Sequence, residues 1–173
     1  MPDVTSDDAA TNEVFAAYGR AMHGAQTLEF WLRILVTVNR TVSKTFSSEG
    51  ELERAVETLS TSTMGTVVSA LRSLVHDPEL EAQLARAVTE RNRLAHKFFG
   101  EWADIWNGSE TDARMIQDAN RVRNIFDEAV RNLTSTIGTH LATIGSNPDE
   151  FIPGLNQRIA DVQTGDRAPL GHV

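Results

Sequence analysis

Apolar residues recur along most of the chain at spacings of three and four, the period of an α-helix that buries one face. Val14, Phe15, Tyr18, Met22, Ala25, Leu28, Phe30, Trp31, Leu32, Leu35 and Val38 carry this pattern. They predict a long first helix from about Thr11 to somewhere in 39–43. The ten residues before it are acidic and small and read as a loose lead-in. Gly19 and Gly24 fall inside the helix, where glycine costs propensity but permits close helix contact. Glu29 stands beside Phe30 and Trp31 as a boundary charge expected to reach solvent or an arginine.

A turn-rich connector follows over 43–50, with Ser48 placed to cap a short helix whose apolar stripe is Leu52, Ala55, Val56 and Leu59. Four hydroxyl residues, 60–63, interrupt the period. Met64, Val67, Val68, Leu71, Leu74 and Val75 then predict a separate helix over about 63–76. Asp77-Pro78 is the clearest helix start in the chain, with aspartate as cap and proline in the first turn. Leu80, Leu84, Ala87, Val88, Leu94, Ala95 and Phe98 extend that helix toward Phe99, and Gly100 is expected to stop it. Trp102, Ile105 and Trp106 lie in the following connector, where two tryptophans are costly to leave in water. The connector is expected to pack back over the helices or to lie against a partner.

Met115, Ile116, Ala119, Val122, Ile125, Phe126, Ala129, Val130, Leu133, Ile137, Leu141 and Ile144 predict a last helix over about 110–143. Beyond Gly145 the composition turns to Asn-Pro, Pro-Gly and scattered charge. Residues 146–173 therefore read as an extended or partly disordered tail, able to dock through Phe151, Ile152, Leu155 and Ile159. No strand signal stands out. The fold class expected is all-α, an antiparallel bundle of four to five helices formed by residues 1–145.

Composition narrows the chemistry more than the fold. The 173 residues are 40% apolar and 23% charged, as in a soluble globular protein, and contain no cysteine. Disulfides, thiolate catalysis and cysteine metal sites are excluded. With no signal-peptide pattern at the start and no apolar run of membrane-spanning length, a cytoplasmic location is expected. No compact set of histidines and carboxylates suggests a metal site, and the glycines form no nucleotide-binding loop, so no cofactor is expected. His23, His76, His140 and His172 are scattered and read as boundary, helix-end or tail residues.

A net charge of −8 argues against a protein that grips nucleic acid over its whole surface. Locally the balance reverses. Residues 81–100 hold Arg86, Arg91, Arg93 and Lys97 against Glu81 and Glu90. Arg91 and His96 lie about 140° apart around a regular helix, whereas Asn92 and His96, four apart, share a line. An imidazole can take or give a proton, and a guanidinium beside it can hold a phosphate or stabilise charge building on it. Such a set suits attack of an RNA 2′-hydroxyl on the neighbouring phosphate, with a second histidine supplied by a twofold partner. By spacing alone the same residues also read as an ordinary solvated helix face, with His96 paired to a glutamate or a carbonyl.

The segment Arg91-Asn92-Arg93-Leu94-Ala95-His96 resembles the motif of the HEPN superfamily, an arginine, commonly a polar residue next, and a histidine five positions after the arginine. Glu90 through Phe99 and the helix starts Met64-Gly65-Thr66-Val67 and Ala113-Arg114-Met115-Ile116 resemble a bacterial HEPN-like group, over roughly residues 11–144. The resemblance implies a helical bundle that forms a homodimer with the motif helices facing each other. It also implies a metal-independent endoribonuclease of toxin, antiphage or RNA-processing type. Arg91, Asn92 and His96 would be its catalytic residues, with Arg93, Lys97 and Arg86 holding RNA phosphates and an antitoxin as a possible protein partner. Other members regulate or bind without catalysis, and the mannitol-operon repressor group has a related segment. On that alternative Trp102, Ile105 and Trp106 form the partner surface.

Overall fold

The computed structural model describes residues 6–42, 58, 62–72, 77–106, 109–143, 145 and 147. Among them are five helices and no strand: α1 Ser6–Val42, α2 Met64–Arg72, α3 Pro78–His96, α4 Phe98–Trp102 and α5 Ser109–Thr143. The all-helical expectation holds. Two compact units divide the chain, one formed by Met1–Glu29 with Asp77–Val130 and the other by Phe30–His76 with Arg131–Val173.

The first unit is built on a seam of small side chains. In α1, Val14, Ala17, Ala21, Ala25 and Leu28 are buried at spacings of three and four. Leu80, Leu84, Ala87 and Leu94 of α3 and Met115, Ala119, Val122, Phe126 and Ala129 of α5 are buried in the same unit. The closeness of α1 to α5 is visible at Gly24, where an added Cβ would lie 3.5 Å from the Phe126 side chain. Gly19, by contrast, faces open space. Shortening a buried leucine such as Leu84 to alanine removes contacts worth about 2–5 kcal/mol.

Side-chain pairs fix the helix directions within this unit. Tyr18 Oη donates to the Leu94 carbonyl at 3.4 Å, and Glu29, further along α1, pairs with the earlier Arg91 at 3.1 Å. Helices α1 and α3 are therefore antiparallel. Arg93 pairs with Asp118, and Glu90 with the later Arg121, so α3 and α5 are antiparallel as well.

In the second unit Trp31, Leu32, Leu35 and Val36 of α1, Met64, Val67, Val68 and Leu71 of α2, and Leu133, Ile137 and Leu141 of α5 are buried. The Thr63 hydroxyl accepts from the Thr66 N–H at 3.3 Å and caps α2. Arg33 donates to the Ser62 carbonyl at 3.3 Å and ties α1 to the residues that lead into α2.

Three boundaries differ from expectation. Helix α1 begins at Ser6, inside the stretch read as a lead-in. Helix α3 ends at His96 because Lys97 leaves helical geometry (φ −130°, ψ −23°), although its N–H still reaches the Arg93 carbonyl at 2.8 Å. Gly100 stops nothing: it lies within α4, a short helix that takes Trp102 out of the predicted connector. The Ser48 cap, the Leu52 to Leu59 stripe apart from the helical Thr58, His76 and the tail beyond Asn147 lie outside the described residues.

Candidate functional site

Helix α3 is placed from its first residue. Asp77 is extended, and its Oδ1 accepts from the N–H groups of Glu79 and Leu80 at 3.0 and 3.1 Å, with Pro78 in the first turn. From that start the helical period turns Leu84, Ala87 and Leu94 into the core and sets Asn92 and His96 on the outer face, where both are exposed. His96 is the last residue of α3.

Arg91 lies between core and solvent. Its Nε donates to Glu29 Oε1 at 3.1 Å, and its Nη1 reaches Asn92 Oδ1 at 3.4 Å. Glu29 thus meets an arginine, one of the two fates expected of it. The carboxylate orients the guanidinium from the core side, and the amide touches it from outside. His96 makes no hydrogen bond among the described residues, so its ring nitrogens are open to a ligand. Lys97 is exposed next to it.

Arg93 is placed quite differently. Its guanidinium spans Asp118 at 2.5 Å, Glu101 at 2.7 Å and Glu90 at 3.3 Å. Arg121 closes the cluster, reaching Glu90 and Asp118, each at 2.9 Å. Partial burial works against the Arg93 charge, but hydrogen bonds and attraction from Asp118 and Glu101 outweigh it and raise its pKa well above the ordinary value. Burial likewise opposes the Asp118 carboxylate, yet the hydrogen bonds from Arg93 and Arg121 leave its pKa below the ordinary value. Arg121 is raised chiefly by its hydrogen bond to Glu90. The cluster fastens α3 to α5 and α4. Its partners Glu101 and Asp118 went unrecognised in the sequence; the only local signals were the within-helix pairs Glu90/Arg93 and Asp118/Arg121.

Downstream of His96 the chain forms a ring cluster. Phe99 stacks on Trp106 at 6.0 Å, and Phe15 and Tyr18 of α1 pack against Phe99 at 5.5 and 4.8 Å. Trp106 Nε1 donates to the buried Asp112 at 2.6 Å, and the Thr111 hydroxyl donates to the Ile105 carbonyl at 2.9 Å. Of the trio Trp102, Ile105 and Trp106, both tryptophans are partly buried. Only Ile105, 54% exposed, is open; Phe15, which packs against Phe99 and Trp106, is 51% exposed.

Arg86 stands apart from these groups, one helical face away from Asn92 and His96, on the α5 side of α3. His23 is exposed on α1, and His140 lies near the end of α5 in the other unit. Among the described residues no group of three or more His, Asp or Glu side chains is placed to hold a metal ion, and no helix is long and apolar enough to cross a membrane. No family model, curated protein or solved structure matches the chain.

Proposed function

We propose that this protein is a metal-independent endoribonuclease of the HEPN-like kind, acting as a homodimer in a toxin, antiphage or RNA-processing role. The observation that carries the reading is the state of three side chains on α3. His96 and Asn92 are exposed with their faces open, while Arg91 is oriented through Nε by Glu29. Proton transfer and charge stabilisation, the two requirements of 2′-hydroxyl attack, are then both met by side chains.

In this mechanism His96 takes the proton of the 2′-hydroxyl as its oxygen attacks the adjacent phosphorus. The 5′-oxygen leaves with a proton from the same histidine of a second copy, giving a 2′,3′-cyclic phosphate and a 5′-hydroxyl. Arg91 faces the non-bridging oxygens, Asn92 orients the phosphate or the imidazole, and Lys97 attracts the strand. Purified protein is expected to cleave a mixed RNA pool in excess EDTA, with the rate falling by about 10²-fold or more in His96→Ala. Equal cleavage by a folded His96→Ala protein overturns the assignment.

A second reading, a non-catalytic regulatory or protein-binding module, is favoured by the exposure of Phe15 and Ile105 at the edge of the ring cluster. On it, a copurifying protein such as an antitoxin is lost on Ile105→Glu and kept on His96→Ala. The reverse pattern returns the weight to the ribonuclease.

A further inference from the structure

A second polar constellation lies on the other flank of α3. On α5, Gln117, Asn120 and Asn124 recur at spacings of three and four and so share one face. They line an open groove of about 610 Å³ together with Arg86 of α3. None of these four side chains has a hydrogen-bond partner among the described residues. Arg121 also lines the groove but is held by Glu90 and Asp118, as Arg91 and Arg93 are held by carboxylates elsewhere, which leaves Arg86 as the lining cation without one. Ala113, Ile116 and Ile125 supply an apolar lining, and Glu128 closes the row.

We infer that this groove binds a nucleotide. Each carboxamide offers two donors and an acceptor in one plane, the complement of a nucleobase edge, and adenine with its adjacent N6 donor and N7 acceptor is the best match. The apolar lining takes the face of the base. Arg86, with no carboxylate to satisfy, takes the phosphate. Glu128 is placed to accept from a ribose hydroxyl or an exocyclic amine. The inference does not rest on cleavage: it holds equally for a free nucleotide and for one unpaired nucleotide of an RNA strand.

Titration of the full-length protein with AMP, with inorganic phosphate and with 2′-O-methyl tetraadenylate separates the sources, since the last cannot be cut by 2′-hydroxyl attack. Side-chain amide resonances of Gln117, Asn120 and Asn124 are expected to shift with AMP, with the tetranucleotide, or with both. Binding of AMP assigns a free-nucleotide site, and binding of the tetranucleotide alone assigns an RNA strand. Asn120→Ala combined with Asn124→Ala is expected to weaken binding by about tenfold or more. Arg86→Gln should weaken it and flatten its salt dependence. Arg114→Gln, at an exposed pair with Glu110 outside the groove, should leave it unchanged. The inference is overturned if neither AMP nor the tetranucleotide shifts these resonances at millimolar concentration. It is equally overturned if phosphate binds as tightly as AMP, or if a folded double variant binds like wild type.

Discussion

At the scale of single residues, buried polar groups are decided by whether a partner is present. Trp106 and Trp102 have the same indole in the same short stretch with opposite outcomes. Trp106 donates to Asp112, whereas Trp102 Nε1 is buried with no acceptor among the described residues. Replacing a tryptophan by phenylalanine removes the N–H in either case. Trp106→Phe, which strands the buried Asp112, is expected to cost about 1–3 kcal/mol in denaturant unfolding, while Trp102→Phe should cost clearly less, because it also removes an unmet donor. Equal losses would mean that Trp102 has a partner in solution. Asp118 gives a pH signature by the same reasoning. Its pKa in the folded protein lies below the ordinary 3.8, so its contribution to stability is fully present above that value and is lost as pH falls through the lower folded value. Asp118→Asn is expected to destabilise at neutral pH and to flatten the acid limb of a stability profile. An unchanged limb would show that Arg93 finds a substitute carboxylate.

At the scale of elements, glycine inside α1 is a testable expense. Gly19 meets open space and Gly24 an ordinary contact with Phe126. Gly19→Ala should therefore gain about 0.5–1 kcal/mol, as helix propensity dictates, and Gly24→Ala a similar amount or less. A loss in melting temperature for Gly19→Ala would mean that this face is covered in solution. Helix boundaries followed their local chemistry where that chemistry was strong. Asp77-Pro78 announced α3 because capping is a short-range event, and the hydrophobic period announced the buried faces of α1 and α5. The break at Lys97 was illegible: lysine is a good helix former, and the apolar period runs through it into Phe98. What bends the chain there is tertiary, with Phe98 and Phe99 turning onto Tyr18 and Trp106. The candidate site divides the same way. Arg91, Asn92 and His96 stood out by type and spacing, but only the packing of α3 against α4 and α5 showed that Arg93, two residues after Arg91, is held by Glu101 and Asp118 as well as by Glu90 of its own helix.

At the scale of the whole molecule, charge sets how the RNA strand of the proposed reaction would be held. The chain carries −8, and much of the positive charge on α3 is already neutralised: Arg91 meets Glu29, and Arg93 meets Glu90, Glu101 and Asp118. Arg86 and Lys97 have no carboxylate partner among the described residues, and Arg91 keeps donors beyond its Nε contact. About three phosphate contacts on a single strand predict that log K falls against log[NaCl] with a slope of about −2, since each contributes roughly 0.7. Lys97→Gln should make that slope shallower by about the contribution of one contact. A slope of about −5, measured with uncleavable 2′-O-methyl RNA, would require the Arg93 and Arg121 network to open and turn its cations outward. That opening would itself be visible, because Asp118 would lose both hydrogen bonds that depress its pKa and would titrate higher in the complex than in the free protein.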